Sequence, residues 1–480
     1  MYARLIRLID TGNWEPRTKL SQIAGEFGLT ALICLSVLSP NFQISGTLPM
    51  IRLDLPVLIL ITATFIWFLL AGLGGTLQAL RFYWIGACFS ISVSLSLFYG
   101  TTVLHNTPQL SDFYEISKAW LPVVFFVVGY EAHLSERGIH RLLNALALVA
   151  LMICIIGWIQ FLNLPLAPRL QAIYGDGGHN DRALLLFRRV YSTLTNPNVL
   201  GEFLSWTLVG YTIAFLFHRG SRVRNLLVCF CCMITLTMTG SRYGILSASL
   251  GLILVLAMAR HAIRNSQTVI TLALLLMIFV AVFTGIQHVS YFTAQRFEEL
   301  RDPLQVNSLR GRLDDLWIVA SDYFWQSPVF GQGPAKRVFD EAYTDSEYLD
   351  VLKKFGVVGF SIYLGYYLWP LAQIRRALRN NSRMYPPLEG ILPGNLFAAR
   401  YGFVMLCMAL FMNIGMYTCF NWYLMCFLWT WTGISMRSAA VMQEVIECLL
   451  YLPASGPPAL ARSQTARFPY PKKPEGMSYA

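Results

Sequence analysis

Charge is what this sequence has least of. Only 13% of its 480 residues are charged and 55% are hydrophobic, against about 25% charged in a typical soluble domain. The mean hydropathy is +0.51. So little charge excludes a water-soluble enzyme of this size. Other absences narrow the chemistry. No Walker loop, HExxH or GxSxG element occurs, and Gly72, Gly74 and Gly75 read as close helix packing rather than a phosphate loop. The ten cysteines lie nearly all inside apolar segments, in neither a metal-ligand pattern nor a disulfide framework, and Cys229, Cys231 and Cys232 read as packing. No cleavable signal peptide is evident, since Arg4, Arg7, Asp10, Glu15, Arg17 and Lys19 precede the first long apolar stretch.

What is present is a series of apolar runs, each long enough to cross about 30 Å of hydrocarbon as a helix. They lie near 23–40, 55–74, 82–100, 117–132, 142–163, 198–217, 225–239, 243–259, 268–287, 355–374, 398–417 and 419–436. The expected fold is an all-α integral membrane protein of about twelve transmembrane helices. With the amino terminus in the cytoplasm, twelve Lys or Arg residues fall in short inner loops and three in short outer loops. That asymmetry sets the orientation and puts both termini inside. The net charge of +11 then reports topology, and no nucleic-acid partner is implied.

The expected domains are a cytoplasmic segment 1–22, a polytopic membrane domain 23–437, and a proline-rich, disordered cytoplasmic tail 438–480. Two long outer loops interrupt the membrane domain, near 164–197 and 289–354, the larger expected to form its own helical layer. The span interiors are nearly free of charge, with Glu202, Arg242 and Arg400 placed near span ends. That counts against an ion-coupled transporter, which keeps costly charges at mid-membrane.

Four polar stretches face the outer side. Thr237-Met238-Thr239-Gly240-Ser241-Arg242 is a tight turn between two spans. Arg242 there either offers a planar fork to a phosphate or snorkels to anchor its helix. In Ser308-Leu309-Arg310-Gly311-Arg312-Leu313-Asp314-Asp315-Leu316-Trp317, the acids either pair with the arginines or open a solvated helix. Asp345, ahead of the span that begins near 355, reads either as a helix cap or as a functional carboxylate, and Glu347 and Asp350 suit a helix start. Asn196-Pro197-Asn198 reads as a turn and cap, preceded by Arg188 and Arg189, whose charge suits an anionic partner.

In this order and on these loops, the stretches resemble the O-antigen ligase and O-antigen polymerase superfamily of bacterial polysaccharide assembly. The tokens are Asn196-Pro197-Asn198, the turn ending in Arg242, the Arg312 to Trp317 element, Gly331-Gln332-Gly333, and Asp345 with the Gly356 to Gly359 turn. The resemblance implies a metal-independent, cofactor-free glycosyltransferase of the bacterial inner membrane. Its donor and acceptor would be glycans on undecaprenyl diphosphate, with the bilayer, a chain-length regulator and a flippase as further partners. It assigns diphosphate binding to Arg242 and Arg312, assisted by Arg189, with Arg188, Arg310 and Asn198 also on the substrate side. Ligases of this family carry a histidine as general base at the third element. Here that position holds Asp345, with Glu347 as the second candidate, and none of the seven histidines lies within 289–354. An ionised carboxylate can accept a hydroxyl proton, less effectively than a base poised near neutrality. An acidic residue ahead of the Tyr348-Leu349 to Gly356 helix start resembles the polymerases more than the ligases, so the expectation is a polymerase joining carrier-linked repeat units with inversion. The rivals are a ligase that uses lipid A core as acceptor and a transporter of the lipid-linked sugar.

Overall fold

The computed structural model describes residues 19–39, 41–42, 51–52, 77–132, 134–175, 179–217, 219–259, 284, 310–335, 344–382 and 391–450. They form helices α1 (Lys19–Leu38), α2 (Leu77–Thr102), α3 (Leu110–Lys118), α4 (Leu121–Glu131), α5 (Glu136–Phe161), α6 (Ala167–Tyr174), α7 (His179–Phe187), α8 (Pro197–Leu216), α9 (Arg222–Thr239) and α10 (Arg242–Met258). A π-helical turn (Arg312–Trp317) follows, then α11 (Ile318–Gln326), α12 (Glu347–Asn381), α13 (Pro393–Met412) and α14 (Trp422–Leu450). Among the described residues, the only strand pairing is a two-residue ladder, Asn41–Phe42 against Ile51–Arg52. The protein is all-α, as its composition requires.

Seven helices among the described residues are long and apolar enough to cross a membrane, one of them running across α3 and α4. The expected spans at 55–74 and, Thr284 apart, 268–287 lie outside the described residues. The run expected at 117–132 begins earlier, as α3 and then α4 with Pro122 in its first turn. The segment 164–197 contains α6 and α7, and the last helix runs on to Leu450, beyond residue 437 where the apolar run ended. No proline interrupts 438–450, and the first beyond it is Pro453.

Large apolar side chains recur seven residues apart on outward faces: Ile91 and Phe98 on α2, Leu148 and Ile155 on α5, Leu246 and Ile253 on α10, all exposed. Such stripes cannot face water at low cost and suit lipid. Inside, α14 is the axis. Trp429 meets Tyr366 and Tyr367 of α12 at 5.8 and 5.2 Å, and Trp431 meets Tyr401 of α13 edge-on at 5.0 Å. Cys229, Cys231 and Cys232 are buried against the bundle and are free thiols.

Helix starts are set by small hydroxyls. Ser135, Ser221, Ser241 and Ser346 each cap a helix through the side chain, which satisfies amides that would otherwise be orphaned. Near its start α12 breaks at Gly356, where φ is +62°. A side chain there would collide with the backbone of Val329. The break lets Val357 and Val358 donate to the carbonyls of Pro328 and Val329, while Gln332 and Gly333 donate to those of Lys353 and Lys354, each at 2.9–3.3 Å. The Gly331-Gln332-Gly333 loop is thereby riveted to the helix that carries Asp345 at its head.

Candidate active site

One end of the bundle gathers the sequence-marked residues into two corners. In the first, α9 stops at Thr239, and Gly240 takes a left-handed conformation (φ +59°) that reverses the chain. Ser241 then caps α10, its Oγ accepting from the Gly244 amide at 3.2 Å, and Thr239 Oγ1 accepts from the Ser241 amide at 3.1 Å. The turn is fixed by its own hydroxyls, and Arg242 opens α10 from it.

Arg189 braces this turn. It is buried, its Nε donates to the Thr239 carbonyl, and its Nη2 donates to Asn198 Oδ1, both at 3.0 Å. Asn198 is presented by the expected cap, since Asn196 Oδ1 accepts from the Asn198 amide at 2.8 Å. Arg189 thus joins the turn before α10 to the first turn of α8. Arg188 differs sharply: it is exposed, in a left-handed conformation with φ +51°.

The second corner is an ion pair. Arg312 donates through both Nε and Nη2 to Asp345 Oδ2, each at 2.7 Å, with the arginine side chain 16% and the aspartate 30% exposed. The guanidinium also lies over the ring of Tyr243, 5.1 Å from its centroid, a favourable cation–π arrangement. Tyr243 follows Arg242 directly, so the pair joins the large loop, the head of α12 and the head of α10. Arg310 is exposed at the start of the same helical stretch.

The acids at the head of α12 take different places. Asp345 does not cap α12; Ser346 does, its Oγ accepting from the Leu349 amide at 3.4 Å, which leaves the Asp345 carboxylate to Arg312. Glu347 is fully buried, and its carboxylate accepts from the amides of Thr418, Cys419 and Phe420 at 2.6, 3.0 and 3.2 Å. It anchors the turn between α13 and α14. Asp350, also expected at the helix start, bridges Lys353 and Lys354 at 3.2 and 2.6 Å.

Tyr243, under the Arg312 guanidinium, and Asn413, which holds the head of α12, are residues that the sequence reading passed over. Tyr243 stood beside Arg242 in a turn already singled out, so adjacency was a usable signal. Asn413 had none: its carbonyl accepts from the Glu347 and Tyr348 amides at 3.1 and 3.5 Å, a long-range contact. Among the described residues no group of three or more His, Cys, Asp and Glu could hold a metal ion.

The arrangement couples a sheltered guanidinium, a partly exposed carboxylate and a rigid arginine-bearing turn. Fixed guanidinium groups can hold a diphosphate and stabilise the charge that grows on it as it leaves. Residues 227–364 match the family described as O-antigen ligase. The matched stretch contains Arg242, Arg312, Asp345 and Glu347, and stops short of Arg188, Arg189 and Asn198. No curated protein matches the chain.

Proposed function

We propose, from the match of residues 227–364 to the family described as O-antigen ligase, that this multi-pass bacterial membrane protein is a polysaccharide polymerase. It would transfer a growing glycan from undecaprenyl diphosphate to a second carrier-linked repeat unit on the periplasmic face of the inner membrane, with no metal or cofactor. The observation that carries the reading is the Arg312–Asp345 pair beneath the Arg242 turn.

In the proposed step, Arg242 and Arg312 bind the donor diphosphate. The acceptor hydroxyl oxygen attacks the anomeric carbon, the bond from that carbon to the diphosphate oxygen breaks, and its electron pair leaves with the diphosphate. The hydroxyl proton passes to Asp345, and attack opposite the leaving group inverts the centre. Arg312 fills Oδ2 of Asp345 from one side, leaving Oδ1 with no partner among the described residues. Arg189 is a positioning residue that holds the turn bearing Arg242.

Purified protein in liposomes with carrier-linked repeat units is expected to lengthen the glycan; unchanged glycans, with the sugar appearing across the membrane instead, would favour a transporter. The matched family's description supports a second reading, ligation to lipid A core. A deletion strain separates them. Loss of a polymerase leaves single repeat units, whereas loss of a ligase leaves long chains on the carrier.

A further inference from the structure

We propose that Glu202 and Trp206 form a hydroxyl-binding subsite for the acceptor sugar, inside the bundle beneath the arginine corner. The proposal rests on the transferase reading above. Asn198, Glu202 and Trp206 are spaced four apart on α8 and so stack on one face of the helix. Asn198, in the first turn, holds Arg189 at 3.0 Å. Glu202, one turn further along, is 0% exposed, and neither carboxyl oxygen has a hydrogen-bond partner among the described residues. Trp206, a turn beyond, is equally enclosed, and its Nε1–H has no acceptor among the described residues.

The Trp206 side chain turns toward α14. The Trp206 ring stacks on Phe427 with centroids 5.9 Å apart. The Glu202 carboxyl lies within electrostatic reach of Glu347, whose oxygens hold the amides of residues 418–420 just ahead of that helix. On the neighbouring helix, Ser247 Oγ is a third enclosed polar atom without a partner among the described residues. The two helices touch closely there, since Ser205 Oγ lies 2.6 Å from both the Gly201 and the Gly244 carbonyl oxygen and its one O–H serves either.

Enclosed polar groups without partners are costly, and the chemistry of these two selects the ligand. The carboxyl accepts and the indole N–H donates, so one hydroxyl that donates to Glu202 and accepts from Trp206 satisfies both. A metal or ammonium cation would satisfy Glu202 and leave the indole N–H unmet. A phosphate would face the carboxyls of Glu202 and Glu347. The ring of Phe203, edge-on to Phe427 at 5.5 Å, adds an apolar wall suited to a neutral sugar ring. The hydroxyl could come from a saccharide or from water; the proposal assigns it to the acceptor saccharide.

The test uses the full chain in liposomes, a carrier-linked donor at fixed concentration and a carrier-free repeat-unit saccharide as acceptor. Glu202→Gln and Trp206→Phe keep shape and remove one partner each. Each is expected to raise the acceptor KM roughly five- to tenfold, the loss of about one hydrogen bond, with the donor KM unchanged. Calorimetric titration of the same saccharide without donor should weaken in parallel. If both variants melt like the parent and bind acceptor as well as it does, the groups hold water only and the subsite is overturned. If Glu202→Gln fails to fold, Trp206→Phe decides. If the parent forms no longer glycan, the transferase reading fails by itself. Calorimetry then decides the subsite: saccharide binding lost in the variants supports it, and no binding to the parent overturns it.

Discussion

The two ends of the helical bundle both carry an arginine–carboxylate pair, with opposite exposure. At the end away from the site, Glu26 of α1 is buried at 7% and Arg141 of α5 is 61% exposed, 3.0 Å apart. The carboxylate does the structural work there, since Glu26 Oε1 also accepts from Ser135 Oγ, the cap of α5, at 2.8 Å. Glu136 acts similarly, accepting from the Gly394 amide and from the Asn395 amide and side chain at the head of α13. At the site end the cations are the sheltered partners: Arg189 is 8% exposed and the Arg312 side chain 16%, while Asp345 is the more open group. Arg141 is thereby displayed to solvent, whereas Arg189 and Arg312 are sheltered, where a guanidinium meets fewer competing waters and binds an anion more strongly.

The comparison breaks most decisively at Arg312. Arg312→Ala is expected to reduce polymer formation by roughly 10²–10³-fold, the scale of removing one preorganised charge-stabilising donor. Arg242→Lys should lose most activity too, because an ammonium cannot reproduce the planar fork. Both proteins should melt near the parent temperature, since neither side chain is fully enclosed. Full activity in Arg242→Lys would remove it from the diphosphate site.

Next come the two acids separated by one residue, which the sequence could not tell apart. Asp345→Asn is expected to lose transfer, with acceptor turnover reduced more than donor binding, and to keep its stability. Glu347→Ala should do the reverse. It leaves three enclosed amides without an acceptor, a cost on the order of 3 kcal/mol, visible as a lower melting temperature and poor yield before any kinetic effect. If Glu347→Ala melts normally and is inactive, the anchoring role is wrong and Glu347 returns as a base candidate.

This pair marks where sequence reading stops. The helices at 82–100, 142–163, 198–217 and 243–259 were legible because long apolar runs admit few other structures in a bilayer. Arg242, Arg312 and Asp345 stood out in the sequence because polar residues crowd into short turns between such runs, and the structure pairs the last two. The division of labour was not legible. Glu347 is satisfied by amides 71 to 73 positions away, and Arg189 is set apart from Arg188 by the Thr239 carbonyl, the Asn198 side chain and a left-handed backbone at Arg188. The cap at α12 misled for a local reason: Asp345 and Ser346 are both good cap residues, and Ser346 took the position. Glu202 was read as a span-end charge, and only the packing of α8 against its neighbours encloses it.

Arg141 gives the smallest effect and the cleanest control. Its guanidinium is mostly in solvent, and exposed pairs contribute about 0–1 kcal/mol. Arg141→Ala should therefore leave both polymer length and melting temperature close to the parent's. Glu26→Ala should cost more than its partner, because it strips a hydrogen bond from Ser135, which caps α5, as well as the ion pair. The order of the two effects, measured by thermal unfolding in detergent, reads the asymmetry of that end directly. Were Arg141→Ala the more damaging of the two, the arginines away from the site would be structural after all, and the contrast between the ends would rest on exposure alone.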